Sequence, residues 1–205
     1  MRIAIIGAGN VGRALGTVWH RSGHDVVWCV RDPSAEKYQD LPGAPPSTIK
    51  EGIAGADVTV LAVPWSAVGE AAAALGPDFG GILIDCTNPI RSDFSGLENP
   101  AEGSGAARVK ALLPKARIVK AFNHVGAAIM ADADFGKAQA LSLVCSSDEA
   151  AASLVKHLSD DIGFDSVVVR GLDHAAHMEH LAWLWISLAI KQQHGVDFAF
   201  GFVRR

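Results

Sequence analysis

The sequence predicts an α/β protein: a doubly wound parallel sheet followed by a small C-terminal helical extension. Three observations carry that prediction. Short, nearly continuous apolar runs rich in β-branched residues alternate with longer amphipathic ones along most of the chain, as in strands buried on both faces and joined by helical crossovers. A glycine turn, G-x-G-x-x-G, separates the first apolar run from the first helical stretch. The longest apolar helical stretch comes last, after the alternation has ended.

The elements follow in order. RIAII (2–6) is the first strand, a helix spans 10–22, and DVVWCV (25–30) is the second strand. DPSAEKYQDLPGAPPS (32–47) holds four of the nine prolines and reads as a surface loop before a helix at 48–55. DVTVLAV (57–63), a helix at 65–75 and GILIDC (81–86) come next. NPIRSDFSGLENPAEGSG (88–105) is a second loop. It leaves the carboxyl end of a strand, where open α/β sheets bind ligands, so it is expected to form a mobile wall over a site. A helix at 104–113, ARIVKAF (116–122), a helix at 124–131, ALSLVC (140–145), a helix at 148–160 and DSVVVR (165–170) complete the alternation. Right-handed crossovers would make all these strands parallel. Residues 1–170 are thus expected to form one domain and 171–205 an extension, with a helix over 173–193 and the tail FAFGFVRR. Trp183, Leu184, Trp185 and Ile186 make that helix apolar on more than one face. The expectation is that it packs on the sheet domain and on a second copy, giving a homodimer.

Composition narrows the function. At 205 residues and 49% hydrophobic content the chain can bury a core. Its net charge of −4 argues against nucleic acid or anionic membrane as a partner and points to small molecules. Cys29, Cys86 and Cys145 stand singly in or beside apolar runs, as buried reduced thiols do. The chain begins directly on a strand, and LAWLWISLAI (181–190) is too short to cross a bilayer, which needs about 20 residues. A cytoplasmic protein is expected.

The glycine turn sits between a strand and a helix inside a βαβ unit, the setting in which this motif binds a dinucleotide. Gly7 permits the tight turn, Gly9 lets a pyrophosphate approach the backbone, and Gly12 lets the helix pack against the strand. Ala8, Asn10 and Val11 complete the loop, whose free N–H groups lie at the positive end of the helix dipole. Arg31 and Asp32 follow the second strand. Arginine there pairs with a 2′-phosphate, whereas Asp32 precedes Pro33 and can shape the turn, so NADP(H) is favoured over NAD(H). Pro64 and Pro89 each end a strand and expose backbone groups, and Asn88 can donate and accept hydrogen bonds beside them. Asn-Pro is also a common turn dipeptide.

Together GAGNVG, the arginine after the second strand, LAVPW, DCTNPI and KAFNHVGA, with the late EHLAWLWI, resemble the coenzyme F420-dependent NADP oxidoreductases. A more distant resemblance is to the NADPH-binding domain of six-transmembrane ferric reductases, without their membrane helices. The first resemblance implies a Rossmann fold with NADP on Gly7–Gly12 and Arg31 and the nicotinamide near Ala62, Val63 and Pro64. It places a deazaflavin near Asn88, Pro89, Asn123 and the C-terminal helix. The archaeal members resemble S-R-R where this chain has Val30, Arg31 and Asp32, and they carry a histidine where Asn123 stands.

Hydride transfer to a deazaflavin requires stacking and exclusion of water more than a proton donor. Reduction of an imine or carbonyl requires a placed acid. No Tyr-x-x-x-Lys dyad is present, and the single tyrosine, Tyr38, lies in the proline-rich loop. Asn123 is expected to orient the carboxamide or the acceptor ring, or to cap the following helix. His124 is the candidate donor for an imine or carbonyl, or else a solvent-facing cap. His174, His177 and His180 favour a polar helix start over a metal site, since no H-E-x-x-H spacing occurs. Three readings result: a reductase using a flavin-like acceptor, F420 foremost; a reductase of a small imine or carbonyl; and a noncatalytic NAD(P)-binding sensor.

Overall fold

The computed structural model describes residues 1–98 and 100–205. β1 (Arg2–Ile6) leads through the glycine turn into α1 (Asn10–Arg21) and β2 (Asp25–Cys29). A short α2 (Ile49–Gly52) precedes β3 (Val58–Leu61), α3 (Val68–Leu75) and β4 (Ile82–Asp85). After the long loop come α4 (Gly105–Leu112), β5 (Arg117–Ala121) and α5 (Ala127–Ala131). A hairpin of β6 (Asp134–Phe135) and β7 (Ala138–Gln139) then leads into β8 (Leu141–Ser146). α6 (Glu149–Asp160), β9 (Asp165–Arg170) and α7 (Ala175–Ile186) complete the chain's regular elements.

The main sheet has seven strands in the order β2-β1-β3-β4-β5-β8-β9. Successive residues of each strand face opposite sides, so the core divides in two. Ile3 and Ile5 pack with Leu15 and Trp19 of α1, Met130 of α5 and Leu158 of α6. Ala4 and Ile6 pack on the other side with Val68 and Leu75 of α3 and Val109 of α4. Strands covered on both faces are why the sequence shows unbroken apolar runs rather than alternation.

One pairing departs from the all-parallel expectation. β8 runs antiparallel to β5, while every other pair in the sheet is parallel. The connection from β5 runs through the short α5 and the β6–β7 hairpin, and the chain re-enters the sheet from the end at which it left. α6, with 12 residues, is long enough to cross, and β9 is again parallel to β8.

The extension is also shorter in regular helix than expected. α7 ends at Ile186, and a π-helical turn (Ser187–Lys191) releases the tail. The tail folds back on its own chain. Trp185 is buried, stacks on Phe198 at 5.3 Å between ring centres, and donates its indole N–H to the Phe198 carbonyl at 3.0 Å. Phe200 accepts a hydrogen bond from the Leu141 N–H, and Arg204 pairs with Asp165. Trp183 is half-buried under the Lys191 ammonium. Leu184 and Ile190 remain exposed. Among the described residues no helix is long and apolar enough to cross a membrane. All three cysteines are free and buried.

Candidate active site

β1 has β2 on one side and β3 on the other, so the winding reverses there and a crevice opens beyond the strands' carboxyl ends. The glycine turn lies in that crevice. Gly7 has φ +100°, and a Cβ on it would collide with the Ala62 carbonyl; a Cβ on Gly12 would collide with the Gly7 carbonyl. Both glycines are demanded by the fold. Gly9 is different. It lies at φ −80°, ψ −169°, open to any residue, and a Cβ there would meet nothing within 4 Å. The fold leaves a cradle at the start of α1, where no side chain caps the helix and no acidic residue lies in the first turn. The free N–H groups and positive helix end suit a pyrophosphate. Asn10 is exposed beside the cradle, while Ala8 and Val11 pack partly on the core.

From Gly7 a cleft of about 570 Å³ extends over β2 and α3. Val63, Ala67 and Ala71 form its apolar floor, and Arg31, Lys37, Lys50 and Glu70 its charged rim. Local chemistry places the rim. Arg13 of α1 holds the Asp40 carboxylate at 2.9 Å and reaches the Lys37 carbonyl, which draws the proline-rich loop over the cleft. Thr48 and Glu51 form a reciprocal cap on α2 and so position Lys50. Asp32 accepts hydrogen bonds from the Ser34 N–H and hydroxyl, which hold its carboxyl below the usual range. Its turn-shaping role is realised. Arg31 lies bidentate on Glu70 at 2.7 and 3.2 Å, with both groups exposed. Lys37 and Lys50 are cations that position in the sequence did not reveal, because only folding brings their loop and helix over the end of β2.

A second cavity, about 370 Å³, continues past Val63 and Pro64 to Cys86, Thr87, Asn88 and the 90–98 segment. Ala62 is buried beneath it. Asn88 and Asn123 form a reciprocal pair. The Asn88 amide donates to the Asn123 carbonyl at 2.7 Å, and the Asn123 amide donates to Asn88 Oδ1 at 2.9 Å and to the Met178 carbonyl of α7 at 3.2 Å. Both Asn123 N–H bonds are thus used, and the residue is buried. Asn88 is the member of the pair that lines the cavity, so Asn123 acts by orienting Asn88. Asn123 does not cap α5, whose N-cap is Gly126. Phe122 precedes it at φ +62°, a strained left-handed conformation that turns the chain toward Asn88. Pro89 links the pair to the loop and accepts the Glu98 N–H.

His124 is neither a cap nor solvent-facing. It is buried, its Nε2 accepts the Leu143 N–H at 3.2 Å, and its Nδ1 lies 3.4 Å from Asn123 Oδ1. Burial pushes its pKa down to about 4, against the pull of the Leu141 carbonyl. It is neutral at pH 7. Beneath the site lies a cluster that the sequence did not announce. Lys120 of β5 is fully buried, 2.9 Å from Asp85 and 3.0 Å from Glu179 of α7, and it donates to the Thr87 carbonyl. Burial alone would lower its pKa, but the two carboxylates outweigh burial and the net shift is upward, so the ammonium persists. Glu179 also accepts the Gly105 and Ala106 N–H groups at the start of α4. A lysine within an apolar strand was the only available signal. Among the described residues no group of three or more His, Cys, Asp or Glu side chains is placed to hold a metal ion; His180 Nδ1 lies 2.7 Å from the Ala176 carbonyl.

Fold, glycine turn and cleft define the class: a Rossmann-type fold with a dinucleotide-binding turn. More particularly, residues 2–89 match the family described as NADP oxidoreductase coenzyme F420-dependent, and over that segment the resemblance read from the sequence is confirmed. Among solved structures, a protein from Arthrobacter sp. FB24 described as a candidate F420-dependent NADP-reductase is 25% identical, with TM-score 0.86 and 100% of both chains covered. A hypothetical protein from Sinorhizobium meliloti is 24% identical at TM-score 0.76, covering 100% of this chain and 96% of its own. A reductive aminase from Aspergillus terreus, solved with NADPH4, cyclohexanone and allyl amine, is 20% identical at TM-score 0.68. That match covers 94% of this chain and 62% of the aminase. The last two likenesses show the fold.

Proposed function

We propose that this protein transfers hydride between NADP(H) and a flavin-like ring, with an F420-type deazaflavin as the leading acceptor. One observation carries the reading: among the described residues the cavity beyond Pro64 is lined by no histidine, lysine or tyrosine that could move a proton. His124 is buried with its ring nitrogens engaged, and Lys120 is sealed beneath the site by two carboxylates. Burial pushes the Cys86 thiol far up, and Glu98 is tethered by one carboxylate oxygen to the Trp65 indole N–H at 2.7 Å. Tyr38 lines the other cleft. Hydride transfer between two stacked rings needs positioning and exclusion of water more than an acid. The residues for NADP are on hand: the Gly9 cradle for the pyrophosphate, with Arg31, Lys37 and Lys50 around the adenosine end. The dinucleotide supplies the hydride; the chain orients it through Pro64 and the Asn88–Asn123 pair.

NADPH oxidation measured against F420, FMN and 1-pyrroline tests this. Turnover with the deazaflavin, insensitive to titration near neutral pH, is expected. Turnover of the imine alone favours a small imine or carbonyl substrate, the reading that the reductive aminase likeness supports. Tight NADPH binding with no turnover favours the sensor. The exposed Leu184 and Ile190 support a homodimer in which α7 meets a second copy.

A further inference from the structure

We propose that the cavity beyond Pro64 takes a planar acceptor bearing an anionic substituent, with Arg91 holding the anion and Phe94 lying against the ring. This inference rests on the hydride-acceptor reading of the same cavity.

The first observation is the strap that walls it. Residues 90–97 close on themselves through a bridge between Ile90 and Leu97, the Arg91 N–H donating to the Gly96 carbonyl at 3.0 Å, and the Phe94 N–H donating to the Arg91 carbonyl at 2.9 Å. The strap is rooted at both strand ends that flank the cavity. The Glu98 N–H donates to Pro89 after β4, and the Glu98 carboxylate accepts the indole N–H of Trp65 after β3. It is a tethered wall.

The second observation is charge. Arg91 and Glu98 are the charged residues lining the cavity. Glu98 is engaged by Trp65, whereas the Arg91 guanidinium makes no hydrogen bond or ion pair among the described residues. The neighbouring acid, Asp93, is exposed and turned back onto the Ser95 N–H at 3.0 Å. The neutral indole leaves Glu98 its charge, so the lining carries one charge of each sign, and the Arg91 guanidinium is the one without a hydrogen-bond or ion-pair partner among the described residues. A guanidinium fork suits a phosphate or carboxylate.

The third is Phe94. It holds φ +57°, a conformation that costs a bulky residue energy, and its side chain is 50% exposed at the cavity mouth. Half exposed, the ring keeps a face open to an incoming group. A ring is the natural partner of that face. The volume, about 370 Å³, lies at the lower end of the range for small-molecule pockets.

FMN and riboflavin share one ring system and differ by a phosphate, so they test the anion separately from the ring. Binding to the NADP⁺-loaded protein is followed by quenching of flavin fluorescence, and turnover by NADPH oxidation with both flavins and F420. The wild type should bind FMN at least about fivefold more tightly than riboflavin. Arg91→Ala should bring the ratio to about one, Arg91→Lys should restore part of it, and Phe94→Gly should weaken both flavins alike. A wild-type ratio near one, a ratio that survives Arg91→Ala, or no binding of either flavin overturns the inference. Selective binding without turnover of any of the three acceptors instead overturns the hydride-transfer reading while the anion subsite stands.

Discussion

Replacing Gly9 by valine should separate holding a dinucleotide from holding the fold. At φ −80°, ψ −169° the backbone accepts a β-branched residue, and the new Cβ meets nothing within 4 Å. The free protein loses no contact, and restriction of the unfolded chain offsets small losses, so its stability should change by less than about 1 kcal/mol. The bound state is different. The isopropyl group fills the cradle and lifts the pyrophosphate from the N–H groups at the start of α1. Loss of one hydrogen bond to a charged group costs about 1.5–3 kcal/mol, so the Kd for NADPH should rise at least about tenfold, or about 1.4 kcal/mol. At a concentration 100 times the wild-type Kd, NADPH stabilises the wild type by about 2.7 kcal/mol; at the same concentration the variant retains about 1.4. With roughly 2–4 °C per kcal/mol for a chain of this size, the NADPH-induced rise in Tm should halve. Titration calorimetry and thermal unfolding with and without NADPH provide both readouts. An unchanged Kd in a folded Gly9→Val protein refutes the assignment. Gly12→Ala is the contrasting variant: its Cβ strikes the Gly7 carbonyl, so it should cost the free protein about 1–3 kcal/mol.

Other outcomes follow from the same geometry. Arg31→Ala should weaken NADPH more than NADH, by about 1.5–3 kcal/mol, whereas Glu70→Gln, which removes the carboxylate now holding Arg31, should tighten NADPH selectively. Equal effects on both cofactors by calorimetry mean that Arg31 only stacks on adenine. Lys120→Met strands two buried carboxylates and should cost about 3–5 kcal/mol in urea unfolding; a loss below about 1 kcal/mol would show that the cluster is hydrated. His124 has a folded pKa lowered to about 4, so the unfolded chain binds more protons between that value and about 6.5. Its contribution to stability is intact above about pH 6.5 and declines as pH falls to about 4, by about 3 kcal/mol in all. A His124→Gln protein should lack that part of the acid decline, and an identical pH profile refutes the burial argument. Light scattering at micromolar concentration should show a dimer, and a monomer would mean that Leu184 and Ile190 simply remain exposed.

Local chemistry made much of this protein legible in its sequence. Gly7 and Gly12 mark a turn because their lack of a Cβ is a property of the residues themselves, and the apolar runs mark buried strands because a sheet covered on both faces tolerates little else. Arg31 was legible because it is contiguous with the end of β2. What required the tertiary structure was every property shared between distant segments. β8 runs antiparallel to β5, a direction set by how the segment between them returns to the sheet and not by the residues of either strand. Asn123 turns inward because Asn88 and the Met178 carbonyl, 35 and 55 residues away, take both its N–H bonds. Lys120 is sealed by Asp85 and Glu179, and His124, beside a strand end in sequence, is buried by β8. Burial and pairing are sums over neighbours that only folding assembles, so the sequence could name the site's residue types while the fold decided which of them face the cavity.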